Sequence, residues 1–234
     1  MDAASGSRPW SLIDLTSGQQ EVLRWIAIAT MVVDHVGAIL LPAPTAVPLR
    51  AVGRVAWPIF AFLLAYNVAR RGVDPRRYLV PLLAWCAVAA LPHYLAFDRF
   101  VVNILGTLFL GAVALLLLSR REELDARSPL LVPVGLAAVL VASALVEYGP
   151  PGVGLIVVWW WALRTGEPLA LLATVLFVAW QNYPWRVWPA GLAALPLPFV
   201  ASVLPFGLPR SGRLPWVFYP AHLALLVGID RLLR

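Results

Sequence analysis

Asp34 and His35 stand side by side inside an apolar run, Val22–Leu41, near the start of a 234-residue chain. A run of about 20 apolar residues is the length of a membrane helix. Charged side chains at the centre of such a helix cost roughly 2.5–3.5 kcal/mol each on insertion scales, so a titratable pair there points to chemistry or transport rather than to packing. A buried imidazole suits a general base, because its ordinary pKa lies near neutrality.

Arg24 precedes His35 by eleven residues. Eleven residues are about three helical turns, so both side chains lie on one stripe, about 16 Å apart along the axis. An arginine at the membrane boundary suits a phosphate. The plainer readings are that Arg24 snorkels to the headgroups and that His35 is a hydrogen-bonded bundle histidine.

Asp34 lies about 100° from His35 around the helix. Its natural partner is Arg54, which forms an i,i+4 pair with Arg50 at the start of the second apolar run. Such an ion pair could fix helix register alone or also orient the imidazole. Other polar groups gather toward the same outer half: His93, Asn103 with Thr107, and Glu147 with Tyr148. In the last apolar run, Tyr219 and His222 share a face, placed by alternation in the inner half. The three histidines and single Cys86 make neither a spaced metal motif nor a disulfide framework, so no metal is expected.

The elements that must position these groups are membrane helices. The chain is 61% hydrophobic and 13% charged, with mean hydropathy +0.82, which excludes an ordinary soluble domain. Beyond Val22–Leu41, apolar runs cover about 48–69, 78–97, 101–118, 129–146, 153–163, 169–181, 188–207 and 214–233. The expected fold is therefore all-α: a polytopic membrane bundle of about nine spans, the sixth and seventh short enough to be tilted or interrupted. Residues 1–21 read as a polar N-terminal segment and 22–234 as one membrane domain. Trp159–Trp161, Trp180, Trp185 and Trp188 read as aromatic belts.

All 18 basic residues are arginine. If nine spans alternate, twelve of them share one side: Arg8, Arg24, Arg70, Arg71, Arg76, Arg77, Arg120, Arg121, Arg127, Arg164, Arg210 and Arg213. Arg50, Arg54, Arg99, Arg186, Arg231 and Arg234 fall on the other. The positive-inside rule then places the N-terminus in the cytoplasm.

Five segments also carry a family pattern. LRWIAIATMVVDHVGAILLP (Leu23–Pro42), LRAVGRVAWPIFAFLLA (Leu49–Ala65), NILGTLFLGAVALL (Asn103–Leu116), EYGPPGVGLIVV (Glu147–Val158) and FYPAHLALL (Phe218–Leu226) resemble, in order, the TraX family of pilin acetylases from conjugative transfer systems. The resemblance implies a bacterial inner-membrane enzyme that moves an acetyl group from acetyl-CoA to the N-terminal amine of a pilin. The wider group of transmembrane acyltransferases shows an arginine with a catalytic histidine eleven positions later, which falls here on Arg24 and His35. The family's arginine positions fall on Arg50 and Arg54, and its final motif on Tyr219-Pro220-Ala221-His222. Trp57, Tyr66-Asn67, Gly106 and Glu147 depart from the pattern.

The reading that follows is an acetyltransferase with two-sided access. Acetyl-CoA binds from the cytoplasm, near Arg24, Tyr219 and His222. His35 is the base and Asp34 holds it in place. Arg54, Arg50, Asn103, His93 and Glu147 serve the acceptor or the oxyanion. Partners are acetyl-CoA, a pilin or other membrane-associated acceptor, and the bilayer, with no nucleic acid. Two alternatives are an O-acetyltransferase of a cell-surface glycan or lipid, and a proton-coupled transporter relaying through Asp34, His35, His93 and Glu147.

Overall fold

Thr16 decides where the first helix begins. Its hydroxyl accepts a hydrogen bond from the Gln19 N–H, and the Gln19 side chain accepts one from the Thr16 N–H. This reciprocal cap satisfies two backbone donors that the first turn leaves unpaired. Helix α1 therefore runs Ser17–Leu40, starting ahead of the apolar run.

The chain is described by a computed structural model over residues 13–183 and 188–233. After α1 come α2 (Ala43–Gly53), α3 (Ala56–Ala69), α4 (Arg76–Phe97), α5 (Ile104–Ser119) and α6 (Arg121–Arg127). They are followed by α7 (Leu131–Ser143), α8 (Gly149–Thr165), α9 (Pro168–Asn182), α10 (Trp188–Leu192), α11 (Leu197–Ser202) and α12 (Leu214–Leu233). Arg8, Trp185, Arg186, Arg234 and the Trp188 side chain lie outside the described residues.

The all-helical expectation holds among the described residues, and the count of nine spans is not borne out. Among the described residues, four helices are long and apolar enough to cross a membrane: α1, α2 with α3 (Ala43–Ala69), α4 and α12. A fifth counts if α5 and α6, bent by 71°, form one span. The expected fifth and seventh spans are helices of 13 and 15 residues, α7 and α9, below the length a bilayer needs. The expected eighth is broken into α10 and α11, because Pro196 and Pro198 cannot continue a helix through 193–196.

The N-terminal boundary also moves. Ile13 and Leu15 are buried in the bundle. The Leu15 N–H donates to the Tyr66 hydroxyl at 2.7 Å, and Arg71 donates to the Leu15 carbonyl at 2.9 Å. Residues 13–21 thus belong to the domain rather than to a separate polar segment.

Helix α3 is the central post. It is apolar around its whole circumference, and eleven of its fourteen residues are buried, as a helix surrounded by others requires. It packs on α1 and α8. Phe62 meets Trp159 edge-on at 5.1 Å, so Trp159 is a core residue and not part of an aromatic belt. Helix α4 is different: its buried residues Leu82, Cys86, Ala89 and His93 form one stripe, and Val80, Leu83, Val88 and Leu91 are exposed. Large exposed apolar side chains on a long helix are the surface of a membrane protein.

Helices α1 and α12 pack in parallel. Glu21, in the first turns of α1, accepts a hydrogen bond from the Ser211 N–H at 3.1 Å just before α12 begins. Both helices therefore start at the same end, and their histidines meet farther along.

Candidate active site

The 100° step between Asp34 and His35 sends them to different neighbours. Asp34 faces the junction of α2 and α3. Pro58 has no N–H to donate back to residue 54, so the helix breaks at Arg54–Val55. The break sets Arg54 at the end of α2, where its Nε also donates to the Arg50 carbonyl at 3.1 Å. Asp34 then accepts from Arg54 at 2.8 Å and from Arg50 at 3.2 Å. Gly53 makes this approach possible: a Cβ there would collide with the Asp34 side chain.

His35 faces α12 instead. Its Nδ1 lies 2.7 Å from Nε2 of His222, and Nδ1 of His222 lies 2.9 Å from the Phe218 carbonyl. The edge of Phe97 on α4 meets the His35 ring at 5.3 Å. His35 and His222 are both buried.

His93 on α4 is buried beside Glu147, at 3.7 Å. A short pairing holds Glu147 there: the Val102 N–H donates to the Leu145 carbonyl at 2.9 Å, and the Glu147 N–H to the Val102 carbonyl at 2.8 Å. Val102 also fills the space that a side chain at Gly106 would need, which explains why this chain lacks an aromatic residue there. Tyr148 stacks on Trp57, with centroids 4.4 Å apart and planes 12° apart.

Two cavities flank these groups. The larger, about 1000 Å³, is lined by Asp34, Arg50, Arg54, His93, Glu147 and Tyr148. The smaller, about 310 Å³, is mostly apolar, with Arg24, Asn67, Tyr78 and Tyr219 in its wall. These volumes span the usual range of ligand sites. Along α1, Arg24, Ile28 and Met31 line the small cavity, whereas Asp34, Gly37 and Ala38 line the large one. His35, one turn beyond Met31 and next to Asp34, is in the wall of neither cavity but adjoins both through these neighbours. Phe97 flanks it from the large cavity, and Tyr219, on the small cavity, lies 5.7 Å from the His222 ring.

The site differs from the sequence reading in four places. Both carboxylate oxygens of Asp34 are bonded to arginines, so among the described residues its hydrogen bonds hold Arg50 and Arg54 and not the imidazole. His222 is not on the small cavity with Arg24 but against His35, because α1 and α12 bring the two to one depth. Asn103 is a structural cap: its oxygen accepts from the Leu105 N–H at 3.1 Å and its nitrogen donates to the Cys86 carbonyl at 3.0 Å, so it is held at the helix start and lines neither cavity. Arg24 does line the small cavity, but it is ion-paired with Glu21. A guanidinium has five N–H donors, so the pair leaves some for a second anion.

Glu21 and Phe97 are the residues that sequence reasoning missed. Glu21 is 1% exposed and binds Arg24 and both the N–H and the hydroxyl of Ser211. A charged residue three positions before Arg24, just inside a helix start, was the one available signal. Phe97 gave none, since it reads as any apolar residue at a helix end.

Comparison with known proteins places this arrangement among relatives. A family model described as TraX protein matches residues 19–230. Protein TraX of Escherichia coli is 28% identical over 230 residues, covering 92% of this chain and 89% of that protein. An uncharacterized protein of Rickettsia prowazekii (strain Madrid E) is 29% identical over 93 residues, or 39% of this chain and 34% of that one. No solved structure matches the chain.

Proposed function

The chain belongs to the TraX family, and from that premise we propose that it is an integral membrane acetyltransferase. In this reading acetyl-CoA is the donor on the cytoplasmic side of a bacterial inner membrane, and the N-terminal amine of a pilin is the acceptor. The observation that carries the reading is the position of His35, a buried imidazole on the stretch of helix where the wall of an apolar cavity with an arginine in it, ending at Met31, gives way to that of a larger cavity lined by charged groups, starting at Asp34. A base that must meet two different substrates fits such a boundary, whereas a purely structural histidine has no need of it.

The donor supplies a thioester carbonyl. The small cavity suits an acyl arm, with its apolar wall of Ile28, Met31, Leu63 and Leu82 keeping water out. Arg24 meets the donor's phosphates at the wall of that cavity. The large cavity holds the chain end of the acceptor, with Glu147 and His93 beside the amine. His35 takes a proton from the acceptor nitrogen as that nitrogen attacks the carbonyl; the C–S bond then breaks as the tetrahedral adduct collapses, and the departing CoA thiolate takes the proton back from His35. Arg54, held by Asp34 and the Arg50 carbonyl, presents its guanidinium toward the developing oxyanion.

The test uses the full chain in proteoliposomes with isotope-labelled acetyl-CoA and a purified pilin, read by intact mass. The expected result is one acetyl group per pilin N-terminus, and a loss of about 10²–10⁴-fold in His35→Ala, the range for a general base. A folded His35→Ala protein with full turnover would overturn the assignment of the base. Label found on a glycan or lipid hydroxyl would overturn the acceptor, and proton-coupled flux without acetyl-CoA would overturn the class.

A further inference from the structure

We infer that His222 is the positioning residue of the site, holding His35 as its Nδ1–H tautomer so that Nε2 is the basic atom. The inference rests on the reading of His35 as the base.

The chain of reasoning starts at a group whose role is unambiguous. The Phe218 carbonyl can only accept a hydrogen bond, so Nδ1 of His222, at 2.9 Å, must be the donor. A neutral imidazole carries one N–H, so Nε2 of His222 is then a lone pair. That lone pair faces Nδ1 of His35 at 2.7 Å, so Nδ1 of His35 must carry the proton. By the same count, Nε2 of neutral His35 is unprotonated and ready to accept.

The ring geometry fits such a bond. The two imidazole planes differ by 4°, and the centroids are 5.0 Å apart. That separation exceeds the N···N distance by about one ring diameter. The rings therefore meet edge to edge in a common plane, which aims the His35 N–H along the lone pair of its partner. His222 is held in turn by its own helix: the Phe218 ring lies parallel to it, 9° between planes and 5.0 Å between centroids. A backbone carbonyl is a fixed anchor, so the tautomer of both rings is set by the fold.

This arrangement does the work that a carboxylate does for many catalytic histidines. The adjacent carboxylate, Asp34, is committed to Arg50 and Arg54. During transfer the acceptor's proton goes to Nε2 of His35 while Nδ1–H stays in place, so no second proton has to move. The positive charge that forms is met by the Nε2 lone pair of His222.

The chain has three histidines, which makes a direct test practical. Full-length protein labelled with ¹⁵N-histidine, in lipid nanodiscs at alkaline pH, yields three imidazole spin systems in long-range ¹H–¹⁵N correlation spectra. Single histidine variants assign them. The expected result is Nδ1–H for both His35 and His222; an Nε2–H tautomer at His35 would overturn the proposal, whatever the activity of His35→Ala. In His222→Ala, His35 should lose its fixed tautomer, and kcat should fall at least about 10-fold and up to about 10⁴-fold, the loss known when a catalytic histidine is left in the wrong tautomer, with KM little changed. His222→Gln, whose side-chain oxygen can accept in place of Nε2, should restore both the tautomer and most of kcat. If His222→Ala does not fold, the native spectrum and His222→Gln still decide. A His222→Ala protein that keeps the Nδ1–H form, or keeps full kcat while His35→Ala is inactive, would overturn the positioning role but leave the base in place.

Discussion

The Asp34 cluster makes a quantitative prediction about stability. The Asp34, Arg54 and Arg50 side chains are 12%, 9% and 25% exposed, and one carboxylate bridges the two guanidiniums. Asp34→Asn removes the carboxylate that bridges two guanidiniums in a poorly solvated place, and breaking a buried pair from one side costs about 3–5 kcal/mol. Arg54→Gln is milder. Asp34 keeps Arg50 at 3.2 Å, so the cost is that of one charged hydrogen bond, about 1.5–3 kcal/mol. The double variant removes both members of the Asp34–Arg54 pair together, and should cost less than the sum of the two, by about 0.5–3 kcal/mol of coupling. Reversible unfolding of the four proteins in one detergent, followed by tryptophan fluorescence, measures all three quantities. Additivity within about 0.5 kcal/mol, or a greater loss from Arg54→Gln than from Asp34→Asn, would refute the bridge.

Other variants probe neighbouring contacts. Gly53→Ala should displace the Asp34 side chain and destabilise the protein by about 1–3 kcal/mol, the usual cost of overpacking, with unfolding in the same detergent as the check. Asn103→Ala should cost about 0.5–2 kcal/mol as a lost helix cap and leave the kcat of folded protein near wild type; a kcat loss without a stability loss would return Asn103 to the oxyanion. Arg24→Ala should weaken donor binding by about 1.5–3 kcal/mol in calorimetry if Arg24 meets phosphate. Glu21→Gln should leave donor binding equal or tighter, because it frees the guanidinium, while loosening the segment at Ser211; donor affinity lost on Glu21→Gln alone would contradict that account.

Much of the site was legible without the fold, and the reason is cost. A charge inside an apolar run must have a partner, so Asp34 implied Arg54 before any distance was known. Helical periodicity put Arg24 and His35 on one stripe of one helix, and Arg24, Ile28 and Met31 do line the small cavity. Composition alone established a helical membrane protein, since only a helix or a closed barrel satisfies its own backbone in lipid. Local chemistry and local geometry were sufficient for each of these.

Contacts between distant helices were not legible. His35 and His222 are 187 residues apart, and Asn103 reaches the Cys86 carbonyl on another helix. Periodicity identifies a neighbour only where a helix has a distinct polar face, and α3 and α5 are apolar all round. Nor can apolar length alone separate a span from a shorter helix such as α7 or α9, because a residue buried between helices and one facing lipid have the same composition. Asp34 shows the division within one residue. Its need for a cation was set by its own charge and depth, whereas the helix break at Pro58 and the absent side chain at Gly53 decided that it would serve Arg50 and Arg54 and leave His35 to a histidine on the last helix.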